Sequence, residues 1–122
     1  MQKLVLAAVI AALLGSPALA TGNAGNGKTV FGRCAICHNV QKGGPNGLGP
    51  NLFGVAGRKA ASLASFSYSG ALKNSGITWT NDKLKAWIMG PYKLVPGTKM
   101  AFGGISNASQ ADDVVAYLDS LK

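Results

Sequence analysis

The chain has 122 residues, room for one domain at roughly 100–200 residues each. Hydrophobic residues make up 48% and charged residues 13%, which excludes a disordered tail or a fibre, and twelve Lys and Arg against four acids give a charge of +8. Two cysteines and one histidine exclude a zinc finger and a multi-disulfide scaffold, and allow a Ser-His-Asp triad only through that one histidine.

Residues 1–20 read as a secretory signal rather than as part of the fold. Lys3 supplies charge near the start, Leu4 to Leu14 is unbroken apolar sequence, and Gly15-Ser16-Pro17 breaks it ahead of Ala18-Leu19-Ala20, the small-x-small pattern of a cleavage site. Eleven residues make about 16 Å of helix, short of the roughly 30 Å of bilayer hydrocarbon, so cleavage before Thr21 is expected rather than an anchor. Residues 21–122 are then the working domain. Without Lys3 they keep eleven bases and four acids, a charge of +7. Export places the two cysteines in an oxidising compartment, where they could pair.

Along this domain the periodicity is helical. Val30, Cys34, Cys37 and His38 recur at helical spacing, so a helix is expected from Val30 to His38. The Gly43-Gly44-Pro45-Asn46-Gly47 run ends it and opens a long loop to Gly57. A short helix is expected over Ser69 to Asn74, stopped by Gly76. Thr80 is the expected N-cap of a helix with Asp82 in its first turn and Leu84, Trp87 and Ile88 as its apolar stripe, ended by Gly90-Pro91. The last helix is expected to start at Ser109, with Asp112 at capping-box spacing, a buried face of Ala111, Val114, Leu118 and Leu121, and Lys122 in its last turn. No strand alternation and no repeat is found. Seventeen glycines imply a loop-rich domain that needs something central to pack on.

Cys34-Ala35-Ile36-Cys37-His38 holds both cysteines and the histidine. On a helix the sulfurs at i and i+3 share a face, with the imidazole at i+4 beside them. That spacing is the attachment signature of c-type haem, in which two thiols bond the porphyrin side chains and the imidazole faces the iron. The rivals fit less well: a redox CxxC needs a βαβ context, a structural zinc needs four ligands, and a plain disulfide leaves His38 unexplained. The sixth iron position separates carrier from enzyme. Its candidates are Met89, at a helix end, and Met100, after the Pro96-Gly97-Thr98-Lys99 loop, and the stiffened loop favours Met100. A thioether there favours Fe(II) and raises the potential. Either methionine could instead be a core filler.

The chain resembles the class I cytochromes c, and most closely the mitochondrial-type group that includes soluble cytochromes c of purple bacteria. The resemblance runs from about Gly27 to Leu121. It is carried by the motif at 34–38, Gly49-Pro50-Asn51-Leu52 with Gly57-Arg58-Lys59, Gly76-Ile77-Thr78-Trp79, Pro96-Gly97-Thr98-Lys99-Met100 and Ala116-Tyr117-Leu118. It implies an all-α fold of short helices and long loops wrapped around one covalently attached haem c, with Val30 or Phe31 meeting Val114 and Tyr117 where the terminal helices cross. It also implies single-electron transfer between larger redox proteins, such as a quinol–cytochrome c reductase and a terminal oxidase or photosynthetic reaction centre.

Residue by residue, the resemblance implies thioethers at Cys34 and Cys37, and His38 and Met100 as axial ligands. Pro50 would accept the imidazole proton, Tyr68 and Trp79 would donate to a haem propionate, and Arg58 would compensate its charge. Thr98 would lie near the methionine sulfur and Phe102 at the haem edge. Leu72 and Trp87 depart from the family, standing where asparagine and tyrosine help hold an internal water. Arg33, Lys93 and Lys99 match bases around the haem edge, whereas Tyr92, Ser106 and Asn107 replace others. The expected partners are redox proteins with acidic docking patches, met by a periplasmic monomer. Nucleic acid and stable membrane insertion are not expected, although the positive charge could equally serve solubility. The rivals kept open are a small haem peroxidase or gas-binding protein with an open sixth site, and a domain confined to one larger complex.

Overall fold

The computed structural model describes residues 21–122, so the expected signal at 1–20 lies outside the described residues. Among the described residues there are five α-helices: α1 Ala24–Val30, α2 Gly70–Lys73, α3 Asn81–Met89, α4 Pro91–Leu94 and α5 Ala108–Asp119. This is the expected all-α architecture, and among the described residues no strand forms and no helix is long and apolar enough to cross a membrane.

The helix expected from Val30 to His38 lies earlier. Asn23 caps α1, its side chain accepting from Asn26 N, and α1 ends at Val30. A 3-10 turn, Phe31–Arg33, follows, and the Cys34–His38 stretch continues as turns. The backbone keeps helix-like bonds there, from Ala35 N to Phe31 O (2.9 Å) and from His38 N to Cys34 O (3.0 Å), so the side chains of Cys34 and His38 stay on one side.

The terminal helices make the principal helix pair. Gly27 is buried in it, and a Cβ placed there would sit 1.8 Å from the Asp113 carbonyl oxygen, so backbone packs directly on backbone. One turn on, the Phe31 and Tyr117 rings lie 5.2 Å apart, and Val114 is 1% exposed. Asp113 Oδ1 accepts from Asn23 N at 2.8 Å, fastening the start of α1 to α5.

Thr80 caps α3 as expected, while Ser69, expected inside the short helix, is the cap of α2. Gly90 does end α3, but Pro91 then opens α4, a one-turn helix in which its missing N–H costs nothing. The cap of α5 is Asn107, not Ser109: its Oδ1 accepts from Gln110 N at 3.0 Å. Asp112, expected in a capping box, instead pairs with Lys85 of α3 at 3.0 Å. Helix α5 stops at Asp119, so Lys122 lies beyond the last turn. Residues 57–60 run antiparallel to 77–79 through Gly57 N to Trp79 O (2.8 Å), Trp79 N to Arg58 O (2.9 Å) and Ala60 N to Ile77 O (2.8 Å). This pairing, which sequence alternation does not signal, sets Arg58 beside Trp79.

Candidate functional site

A cleft of about 650 Å³ opens beside the Cys34–His38 turn. Its walls come from that turn, from Leu48–Pro50 and Arg58 of the long loop, from Phe66–Leu72, from Trp79, from Leu84, Trp87 and Ile88 of α3, from Thr98–Phe102, and from Val114 and Leu118 of α5. Most of these side chains are apolar, as a cofactor of large hydrophobic face requires. Of the residues singled out from sequence, Cys34, Cys37, His38, Pro50, Arg58, Tyr68, Trp79, Thr98, Met100, Arg33, Lys99 and Phe102 all line it. Lys93 does not; it is exposed on α4. Met89 packs against the apolar core outside the cleft lining.

His38 is fixed from two directions. Its Nδ1 lies 2.7 Å from the Pro50 carbonyl oxygen. A carbonyl only accepts, so Nδ1 carries the proton and Nε2 keeps its lone pair for a metal. On the ring's flank, a Cβ at Gly49 would fall 2.4 Å from His38 Cε1, so only glycine lets the loop run flat against the imidazole. Burial pushes the His38 pKa below its usual value and so favours the neutral ring a metal needs, and the Pro50 bond acts against this by raising it. Burial raises the Cys34 thiol, against the pull of Arg33, with Cys37 adding to the rise. Neither cysteine is in a disulfide.

Arg58 is braced by backbone oxygens: Nη1 donates to Phe53 O at 3.2 Å, and Nη2 lies 3.5 Å from Asn51 O. Trp79 is 7% exposed and meets Trp87 edge to face at 5.3 Å. Leu72 and Trp87 both line the cleft, so the two departures from the family face it, and Thr98 is buried on the same wall. The Arg33 guanidinium lies 5.7 Å from the Phe102 ring centroid. Lys99 Nζ reaches the Ser67 carbonyl and stands 5.3 Å from the Phe66 ring centroid.

Two unpaired thiols, an imidazole with a bare Nε2 and an apolar cleft fit one haem held by two thioethers. The sequence matches the Cytochrome c family over residues 24–122. The chain belongs to the cytochrome c family. It is 48% identical over 101 residues to Cytochrome c2 of Rhodoblastus acidophilus, covering 83% of this chain and 94% of that protein. It is 40% identical over 118 residues to Cytochrome c2 of Blastochloris viridis, covering 97% and 92%. Among solved structures, cytochrome cH from Methylobacterium extorquens superposes with a TM-score of 0.76 at 47% identity, over 81% of this chain and 99% of that one. As a class I cytochrome c, the chain carries one covalently bound haem c and is an electron carrier, not an enzyme.

Sequence reasoning missed two features of the site. Ile36 and Leu48, on the cleft lining, are 80% and 82% exposed, an apolar fringe that no periodicity reveals. Asn46 and Asn51 brace the loop that carries Pro50. No acid lines the cleft, although Arg33, Arg58, Lys59 and Lys99 do, so the positive charge gathers at its mouth while three of the four acids sit on α5.

Proposed function

We propose that the protein is a periplasmic, monomeric shuttle that takes single electrons from a quinol–cytochrome c reductase-type donor and gives them to a terminal oxidase or photosynthetic reaction centre. Haem c supplies a one-electron couple when bound. His38 and Met100 would hold its iron from two sides, which would leave no position open to a substrate. Pro50 orients His38, and Thr98, which lines the same cleft as Met100, would stand near the methionine sulfur. Tyr68, Trp79 and Arg58 would hold a haem propionate whose burial would otherwise be costly. The observation that carries this reading is His38 fixed at 2.7 Å to Pro50 in the same cleft that Met100 lines, leaving Met89 outside.

The sequence pattern of residues 1–20 supports export. Purified protein is expected to begin at Thr21 and to carry one covalent haem. An intact mass for all 122 residues, or haem extracted by acid-acetone, contradicts this.

Docking occurs at the cleft mouth, around Arg33, Lys99 and Phe102, with Lys93 contributing from the exposed surface of α4. A transient carrier needs fast encounter more than tight binding, and charge steering raises association by roughly 10–10³-fold at low salt. Salt cuts the reach of these charges from about 30 Å at 0.01 M to about 8 Å at 0.15 M. Stopped-flow electron transfer to an acidic partner is therefore expected to slow steeply as salt rises. Lys99→Glu and Lys93→Glu should slow it more than Lys122→Glu at the chain end. Equal effects from all three, or a rate indifferent to salt, would move docking onto the apolar fringe of Ile36 and Leu48.

A further inference from the structure

The peptide joining Pro50 to Asn51 is held from both ends. Its carbonyl oxygen takes the His38 Nδ1 proton at 2.7 Å, and its N–H donates to Asn46 Oδ1 at 2.9 Å. The other end of the Asn46 carboxamide donates from Nδ2 to the Ser65 carbonyl and hydroxyl oxygens, each at 3.1 Å. Only one orientation of the carboxamide serves both neighbours, because a peptide N–H can only donate and a carbonyl can only accept. The Ser65 contact is exposed, whereas the Asn51 contact is partly buried and so the stronger of the two. The Asn51 side chain is committed elsewhere: its Nδ2 donates to Gln41 O (2.9 Å) and Gly44 O (3.2 Å), and its Oδ1 accepts from Phe53 N (2.8 Å). Asn51 is buried and anchors the loop, while Asn46 acts on the peptide itself.

We infer that Asn46 is a positioning residue for His38, acting through the Pro50–Asn51 peptide. By accepting the amide proton it polarises that peptide and draws negative charge onto the Pro50 oxygen, which then holds the Nδ1 proton more strongly. A more strongly hydrogen-bonded imidazole is a better donor at Nε2, as carboxylate and carbonyl partners are for other metal-bound histidines. Richer donation favours Fe(III), so Asn46 keeps the reduction potential below the value the chain would otherwise have. Its second arm, to Ser65, keeps the carboxamide from turning away. The inference rests on His38 being the axial ligand. Failure of that reading would show in the spectrum of the native protein before any variant is made, whereas failure of this one leaves the native spectrum intact.

The test uses the mature haem-loaded protein, with Asn46→Leu and Asn46→Asp compared by redox titration and by amide exchange in the reduced state. Leucine fills the space without either hydrogen bond. Asn46→Leu should speed exchange at the Asn51 amide by up to about tenfold. It should also raise the potential, shifting the reduced-to-oxidised ratio a few-fold at fixed applied potential. Aspartate keeps an acceptor for Asn51 and loses the donor to Ser65, so Asn46→Asp should restore slow exchange and bring the potential to the native value or below. Unchanged potential in Asn46→Leu overturns the inference, even if stability falls, because a mere loop brace would do the same. A low potential in Asn46→Asp without a rise in Asn46→Leu also overturns it, since that is the through-space effect of a new charge. If Asn46→Leu does not accumulate, the native protein decides: an Asn51 amide that exchanges as fast as free loop amides removes the bond on which everything rests.

Discussion

Met100→Ala is expected to abolish the weak long-wavelength sulfur-to-iron band of the oxidised protein, lower its reduction potential and let cyanide or CO bind. The reasoning begins from the cleft. Met100 lines it, while Met89, the other methionine of residues 21–122, packs on the core. A thioether is a soft ligand that favours Fe(II). Its removal leaves the sixth position to water or hydroxide, hard oxygen ligands that favour Fe(III). The potential of c-type haems rises with Met/His ligation, so the fall should be large enough to read in any titration. Met89→Ala should keep both the band and the potential and cost only packing, about 2–5 kcal/mol if the site cannot collapse. Exchanged phenotypes would move the axial sulfur to Met89 and with it the proposed role of the 96–100 loop. Once opened, the Met100→Ala site should also turn over peroxide, a side reaction of open coordination.

Gly27→Ala is expected to be the most damaging small substitution on the face where the terminal helices meet. Two effects oppose each other. Alanine is the better helix former, by about 1 kcal/mol over glycine. Against that, the new methyl would stand 1.8 Å from the Asp113 carbonyl oxygen and 2.4 Å from its carbon, both backbone atoms that cannot rotate aside. The helices must separate, and with them the Phe31–Tyr117 contact and the Asn23–Asp113 hydrogen bond. Overpacking costs about 1–3 kcal/mol even where side chains can shift, so a net loss of about 3 kcal/mol is expected where they cannot. For a domain of about 100 residues that is roughly 12–24 °C of melting temperature. Gly32→Ala is the control, because nothing lies within 4 Å of its added Cβ. Equal melting points for the two variants would mean that the crossing is looser than the structure describes.

The two glycines of Ala24–Val30 explain why α1 was not legible. The sequence AGNGKTV carries glycine at positions 25 and 27 and asparagine at 26, a poor helix former by local propensity. Helical spacing was visible only from Val30 on, so the expected helix slid toward the cysteines. Packing on α5 overrides the propensity, and Gly27 is there for closeness rather than for flexibility. Asn107 and Ser109 are both good capping residues, and the structure uses the first, whose Oδ1 accepts from Gln110 N. By contrast, Thr80 is legible as a cap because it is a capping residue directly followed by a helical run. The Cys34–His38 motif was legible because its chemistry is local, all within five residues. The loop braces were not, since side chain to backbone bonds such as Asn46 to Ser65 join segments 19 residues apart and leave no periodic trace.

The pairing of α1 with α5 has a consequence for how the chain reaches its final form. The contact that closes the domain joins the first helix of residues 21–122 to the last, so the loop to be closed is nearly the whole domain. A growing or threading chain cannot make this contact until α5 has emerged. Cys34 and Cys37, two turns beyond α1, therefore stay accessible while the rest of the chain arrives. The topology holds open a window for cofactor attachment that a fold with locally paired helices would shut early.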